Sequence, residues 1–401
     1  MHSRDLPPKT TLSSSSAKQR NGLVGKAARA AGLFDSEGSP NDIDPDSDGN
    51  VTSPVEEGTS DTDSNSTPGA LDPELVTKEH KAAELLDLDD AYASGGKTMP
   101  SSRDYMDWGA HALVDPEAGL RAAFFSCTYA APVLAILCAF YWEGLPAWWQ
   151  FVLSFTGIFS VTGLCMSVCL HRYFAHQAFK TSRFFQAVMA CIGCCAFQGS
   201  PVWWASKHRR HHKHCDTPED PHSVLQTNFK YALFGWTMAP REQKIDAEYV
   251  RRLNSFPELR VIGELWFVPP LLIMWATYRA VGYYNMCLYS VVPMFGSRMV
   301  TLLFNVEYHP AQPANKKCQS VDYARFLADC VGESCHDHHH EYPQCVKRPS
   351  AGAPWLDLPF WVMCKPLLML GVIWEPKGLN APDLEGRTMY KGAQDASSET
   401  R

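Results

Sequence analysis

The stretch WQFVLSFTGIFSVTGLCMSVCLHRYFAH, residues 149–176, carries an uncharged apolar run directly into a pair of histidines. The run from Trp149 to Leu170 is close to the roughly 20 residues that a helix needs to cross hydrocarbon. His171 and His176 therefore arrive at the end of a membrane segment. Working outward, three further apolar segments of similar length occur at about 122–142, 261–278 and 286–304.

Four crossings are the simplest reading. The connections between Trp142 and Trp149 and between Tyr278 and Met286 are short, and Arg279 is their only basic residue. The long segment 171–260 instead carries Arg172, Lys180, Arg183, Lys207, Arg209, Arg210, Lys213, Arg251 and Arg252. The positive-inside bias places that segment and both termini in the cytosol. Span two then delivers His171, and span four His309, to the same cytosolic edge. The apolar stretch from Phe184 to Phe197 is short for a crossing and is read as lying outside the spans.

Twelve of the fifteen histidines fall between His171 and His340. His208, His211 and His212, spaced i, i+3, i+4, are expected to project from one helix face toward a common point. His336, His339 and His340 repeat that spacing. His171 and His176 are five apart, about 140° on an ideal helix, and are expected to serve two neighbouring metals. His309 supplies a ninth nitrogen, and Asn305, one turn earlier, can hold a metal-bound water. His214, His222 and His338 are read as supporting or surface groups, while His80 and His111 receive no role. Asp216, Glu219, Asp220, Glu333 and Asp337 are candidate acceptors for the outer ring N–H groups.

Neutral imidazole suits borderline metals such as iron, so the pattern points to a buried centre of two metals. No HExxH occurs, which excludes that type of zinc protease. A carboxylate-bridged di-iron bundle needs two Glu-x-x-His units and two further glutamates, and of the nine box histidines only His336 closes such a unit, Glu333-x-x-His336. The reading from a different class is a zinc transporter or metal sensor with a histidine-rich loop, which does not require fixed spacing.

Residues 1–102 form a leader with 18 acidic and 9 basic residues; the polar tail is 379–401. The net charge of −7 thus comes from the leader, and no nucleic-acid partner is expected. Residues 12–68 are dominated by small and polar types and are expected to be disordered. The first 34 residues, with Asp5 as their only acidic group, loosely match an organelle transit peptide. Most of the fourteen cysteines are read as small buried hydrophobes in a reducing setting.

The histidine boxes resemble those of the integral-membrane fatty acid desaturases, in particular the acyl-CoA Δ9 (stearoyl-CoA) group, over about Trp108 to Gly378. HRYFAH is similar to that group's HRxxxH, KHRRHHKHCDTPEDPH to HRxHHxxxxxxxDPH, FNVEYH to NSxxH, and GESCHDHHHEYP to GEGxHNxHHxFP. The resemblance implies an all-α integral membrane fold, residues 103–378, with four transmembrane helices and a cytosolic helical cap built from 171–260 and 305–350. It implies iron held by His171, His176, His208, His211, His212, His309, His336, His339 and His340, with Asn305 acting through water.

AFQGSPVWWASKHRRHH aligns with the family without gaps, so Gln198 and Trp204, with Thr301, match positions that hold the bent acyl chain. The implied activity is insertion of a cis double bond, Δ9, into a saturated acyl-CoA, using O2 and electrons from cytochrome b5 or a ferredoxin. Membrane lipid is the surrounding partner. The implied location is the endoplasmic reticulum membrane, with a plastid membrane as the alternative. The basic cluster Arg209, Arg210, Lys213, Arg251 and Arg252 is the expected donor surface.

Departures from the pattern are Val306, Glu307 and Tyr308 within NVEYH, and Gly199, Ser206 and Lys207 where the family has an Asn and an Arg-Asp pair. A basic pair expected after Gly-Trp appears only as Pro240-Arg241. They leave room for a glycerolipid or carrier-protein thioester in place of CoA. The nearest rival is another member of the same superfamily, a hydroxylase or a desaturase acting on sphingolipid or glycerolipid, which would share every iron ligand. Trp355 to Trp374 is amphipathic and read as an interfacial helix.

Overall fold

The computed structural model describes residues 115–311, 318–350, 352 and 356–379. The expectations for the leader, for the tail beyond Leu379 and for Trp355 lie outside these residues.

Helix α1, Pro116–Glu143, begins where the Asp115 side chain accepts from Ala118 N at 3.0 Å, with proline in the first turn. It ends at Gly144, whose φ of 84° lies in the left-handed region. Helix α2, Trp148–Val161, continues without interruption into a π-wound segment, Thr162–Ala175. Together with Val268–Glu307 these give three helices long and apolar enough to cross a membrane. Leu134, Leu137, Phe151, Leu153, Leu271 and Trp275 point outward from them, as lipid-facing side chains do.

The third of these, Val268–Glu307, is broken at Gly282 (φ 82°, ψ 174°), a conformation that needs glycine. Ser290 Oγ meets Thr277 Oγ1 at 2.8 Å across the break. Thirteen residues of straight helix would hold those groups about 20 Å apart, so the halves fold back on each other. The break lies inside α7, Val268–Met286, and a π turn, Cys287–Val291, then joins α7 to α8, Val292–Glu307, in the returning half. The segment expected to begin a span at residue 261 instead belongs to a separate helix, Pro257–Glu264 (α6). Leu265 leaves helical geometry (φ −104°, ψ 25°), and Pro269 lies in the first turn of α7.

Between α2 and α7 the chain forms a helical layer. α3, Arg183–Cys194, is capped by Ser182, whose hydroxyl accepts from Phe185 N. At 12 residues it is too short to cross, as expected. It packs on the π-wound end of α2, where a Cβ at Gly193 would stand 2.9 Å from Leu170. α4, Pro201–His214, starts at Ser200, and α5, Arg251–Ser255, precedes α6. After α8 come α9, Phe326–Val331, and α10, His336–Glu341.

The segment read as an interfacial helix forms a π turn, Pro359–Cys364, and a single α turn, α11, Lys365–Met369. Strand β2, Ile373–Trp374, then pairs antiparallel with β1, Lys180–Thr181. Buried Arg172 makes a two-pronged pair with Asp357, at 2.7 and 3.0 Å, tying α2 to the α11 approach.

The cysteine reading needs one correction. Cys165, Cys169, Cys194 and Cys287 are free and buried, but Cys215 and Cys318 are joined in a disulfide. They lie 103 residues apart, so no local spacing marked the pair.

Candidate metal centre

Four elements converge on the site. The π-wound end of α2 brings His171 and His176 together, because His176 N bonds to His171 O at 3.1 Å, five residues back. Their rings lie 5.1 Å apart. The expectation that they serve different metals is therefore overturned: the wider winding replaces a separation of about 140° with two neighbouring rings, tilted at 52°, in one cluster.

α4 also divides its histidines. His208 and His212 point to one cluster and His211 to another, and on α10 His339 parts from His336 and His340. The common point expected for each triplet is replaced by two points. Positions i and i+4 flank one side of the helix, and i+3 lies on the other.

The first cluster is His171, His176, His208, His212 and His339. Its Nε2 atoms form a chain of short separations: 171 to 339 at 2.9 Å, 339 to 212 at 3.0 Å, 212 to 208 at 3.1 Å and 208 to 176 at 2.8 Å. In the second, His309 Nε2 lies 2.9 Å and His340 Nε2 3.2 Å from His336 Nε2, and His211 groups with His309 and His340. A neutral imidazole has a single N–H, so five converging Nε2 atoms cannot all be satisfied by one another. Two sets of inward lone pairs are the donor arrangement of two borderline cations.

The outer nitrogens fix that tautomer. His171 Nδ1 lies 3.0 Å from Glu333 Oε1, His211 Nδ1 3.0 Å from Asp220 Oδ2 and His309 Nδ1 3.4 Å from Asp216 Oδ2. Three of the five acceptors proposed from sequence thus meet ligand-type histidines. The other two differ: Glu219 is exposed and accepts from Thr217, and Asp337 accepts from Ser320.

Burial pushes the imidazoles of His208, His212, His336, His339 and His340 well below their ordinary range, which keeps their lone pairs available. Burial opposes ionisation of Asp220, but its contact with the His211 ring holds its carboxyl well below the usual range. His222 stacks on His211 at 4.4 Å and burial lowers it to about 3. His338 is buried, and His214 meets the Tyr249 hydroxyl at 3.0 Å.

Beside the clusters lies a small cavity, about 20 Å³, whose wall includes Gln198, Trp204, Thr301, Asn305 and His208. Trp204 Nε1 donates to Gln198 Oε1 at 3.0 Å, and Gln198 Nε2 donates to Thr301 Oγ1 at 2.9 Å. The three residues singled out as acyl contacts therefore form one hydrogen-bonded chain. Phe197 (φ 60°) and Gly199 (φ 90°) aim Gln198 by a turn that strains the phenylalanine. A Cβ at Gly199 would sit 2.9 Å from the Trp203 ring, which accounts for the missing side chain there.

Other departures have local causes. Tyr308 is fully buried and donates to Tyr323 O at 2.9 Å, while Glu307 pairs with Arg325 at 2.7 Å. Lys207 is buried with its Nζ 3.0 Å from both Glu242 and Asp246. Arg210 meets the same two carboxylates.

That network corrects the expected basic docking surface. Arg209 donates to the carbonyls of Phe174, Ala175 and Tyr249, closing the end of the π-wound segment. Arg209 and Arg210 are thus engaged internally; Lys213, Arg251 and Arg252 stand exposed.

Sequence reasoning missed Arg348, which is buried, donates to Glu333 and lies 3.1 Å from His171 Nδ1. It stands in no spaced motif, so only the tertiary packing of Lys347–Ser350 against α2 reveals it.

The family model described as "Fatty acid desaturase" matches residues 146–365. The chain is 29% identical over 275 residues to a hex-5-enoyl-(acyl-carrier protein) acetylenase of Moorena producens, covering 60% of this chain and 83% of that one. It is 28% identical over 236 residues to a chloroplastic palmitoyl-monogalactosyldiacylglycerol delta-7 desaturase of Arabidopsis thaliana, covering 57% and 62%. A probable acyl-CoA desaturase of Schizosaccharomyces pombe is 27% identical over 213 residues, covering 50% and 43%. The match thus spans less than two thirds of the last two relatives.

Proposed function

The chain belongs to the fatty acid desaturase family, and from that premise we propose that it inserts a cis double bond into a saturated fatty acyl chain held in the cavity beside the two histidine clusters. The observation that carries this reading is the meeting of nine imidazoles, in groups of five and four, beside a cavity whose wall includes one of them, His208. In it the first five histidines hold one iron, and His211, His309, His336 and His340 hold the other with Asn305 acting through water.

When bound, the iron pair supplies the O2-dependent oxidising power that an unactivated methylene C–H bond demands. This chain's own residues do the geometric work. Gln198, bonded between Trp204 and Thr301, makes a rigid elbow at which the substrate bends, and that bend favours the cis product. Burial of a C16 or C18 tail at about 0.8 kcal/mol per methylene contributes roughly 10 kcal/mol of positioning energy before ordering costs. Asp216, Asp220 and Glu333 keep the ligand imidazoles in the tautomer that faces inward.

Acyl-CoA with Δ9 placement is the substrate form suggested by the histidine boxes. A second reading, an acyl lipid or carrier-protein thioester, is supported by Lys207 and Arg210, whose pairing with Glu242 and Asp246 withdraws them from a phosphate-bearing headgroup. The fold-back at Gly282 supports four crossings with both termini on the cytosolic side, in the endoplasmic reticulum or a plastid membrane. Electrons come in this reading from cytochrome b5 or a ferredoxin.

A lipid profile of desaturase-deficient yeast expressing this chain tests the proposal. A cis monoene supports it; hydroxylated lipid without monoene rejects it. Supplying the substrate as CoA, carrier-protein and glycerolipid forms separates the two carriers.

A further inference from the structure

Arg298, on α8, is 1% exposed, yet no carboxylate pairs with it among the described residues. Its Nη1 donates to Thr128 Oγ1 at 2.7 Å, and its guanidinium lies over the rings of Tyr129 at 3.5 Å and Phe125 at 4.4 Å. Nη2 has no hydrogen-bond partner. Trp236 Nε1 is a second buried donor without a partner, and both residues line the cavity that holds Gln198 and Asn305.

A buried cation without a counter-charge is costly, and one within a membrane segment marks a functional site by default. Aromatic faces and one hydroxyl offset part of that cost. They leave Nη2, one arm of the guanidinium, open as a charged donor, and its charge-assisted complement is a carboxylate. An aliphatic chain alone offers these two donors nothing.

We propose that the cavity binds a carboxylate against Arg298, with the Trp236 indole as an additional donor. The inference rests on the acyl-chain reading of this cavity and narrows its substrate class. Arg298 lies seven residues before Asn305 on the same helix, about 10 Å along its axis. The carboxylate therefore belongs to a part of the substrate remote from the reacting carbons. Two sources fit: the C1 carboxylate of an unesterified fatty acid, or a carboxylate at the far end of a thioester-linked chain.

The test uses the full chain in detergent micelles and displacement of a fluorescent fatty acid. The probes are palmitoyl-CoA, free palmitate and the CoA monothioester of hexadecanedioic acid. Wild type is expected to bind one carboxylate-bearing probe about tenfold more tightly than palmitoyl-CoA, and which one identifies the source. Arg298→Leu removes that preference, Arg298→Lys retains part of it, and Trp236→Phe weakens it several-fold. If Arg298→Leu does not fold, the Lys and Phe variants carry the comparison.

Equal or tighter binding of palmitoyl-CoA, unchanged in the variants, overturns the proposal. The desaturase reading is scored separately, on the iron-loaded protein. Carboxylate preference without any double bond formed sinks that reading and leaves the Arg298 site; double bonds in palmitoyl-CoA with indifference to Arg298 do the reverse.

Discussion

His211 and His212 are adjacent in sequence and belong to different clusters, because neighbouring positions on an α-helix point about 100° apart. His211→Ala and His212→Ala are each expected to lower bound iron from about two to about one per chain and to abolish turnover. Metal analysis of the purified variants checks this; loss of both ions from either one would show a single shared site. Asp220→Ala, which frees the outer nitrogen of His211, is expected to weaken iron binding 10- to 100-fold while the first cluster stays loaded.

The depressed imidazoles give a pH dependence with a definite sign. His208, His212, His336, His339 and His340 stay neutral when folded, whereas in the unfolded chain they take up protons below about pH 6.5. Acid therefore favours the unfolded state. The iron-free protein should be insensitive to these groups above pH 7 and lose stability steadily from about pH 6.5 downward. A melting temperature that stays flat between pH 7 and 5 contradicts the burial of these rings. The identity of the nine histidines was legible in their spacing. Their division was not, since it depends on π winding in α2 and on which side of α4 and α10 faces each cluster.

At the scale of elements, two glycines separate backbone strain from crowding. Gly282 has φ 82° and open space around an added Cβ, so Gly282→Ala is expected to cost roughly 1–2 kcal/mol through the backbone alone. Gly332, with φ 71° at the end of α9, would place a Cβ against Arg172 and Asp357. Gly332→Ala should cost more, because it also disturbs a buried ion pair whose disruption is worth about 3–5 kcal/mol. Thermal denaturation of both variants ranks them, and the opposite order would mean that the Arg172–Asp357 pair yields easily.

Apolar length made the membrane helices visible in sequence, and the short connection near Arg279 anticipated the fold-back. The first turn of the third span was not visible: residues 261–264 continue the apolar run but belong to α6. Hydropathy does not register a helix that ends and restarts.

For the whole molecule, the paired halves around Gly282 predict that the α1–α2 connection and the α7–α8 turn share one face of the membrane. They predict the layer bearing α4 on the other face. Glycosylation acceptors inserted after Leu145 and after Arg279 should therefore report the same side, and one inserted after Lys213 the opposite side. Agreement between the Leu145 and Lys213 tags would rule out this arrangement. On the proposed reading iron should also act as a structural element, since the candidate ligands come from α2, α4, the end of α8 and α10. Removing it with a chelator is expected to lower the melting temperature, and equal values with and without metal would place the ions elsewhere.

The winding of Thr162–Ala175 also works as a length gauge. A π-wound stretch packs surplus chain into a given height, so excising one residue, Cys165 for example, lets it relax toward ordinary pitch while still reaching the same depth. Every histidine would survive in such a deletion mutant, yet His171 would swing away from His339. Box-for-box sequence inspection would pass that chain as intact, although it had lost the means to gather its first five histidines.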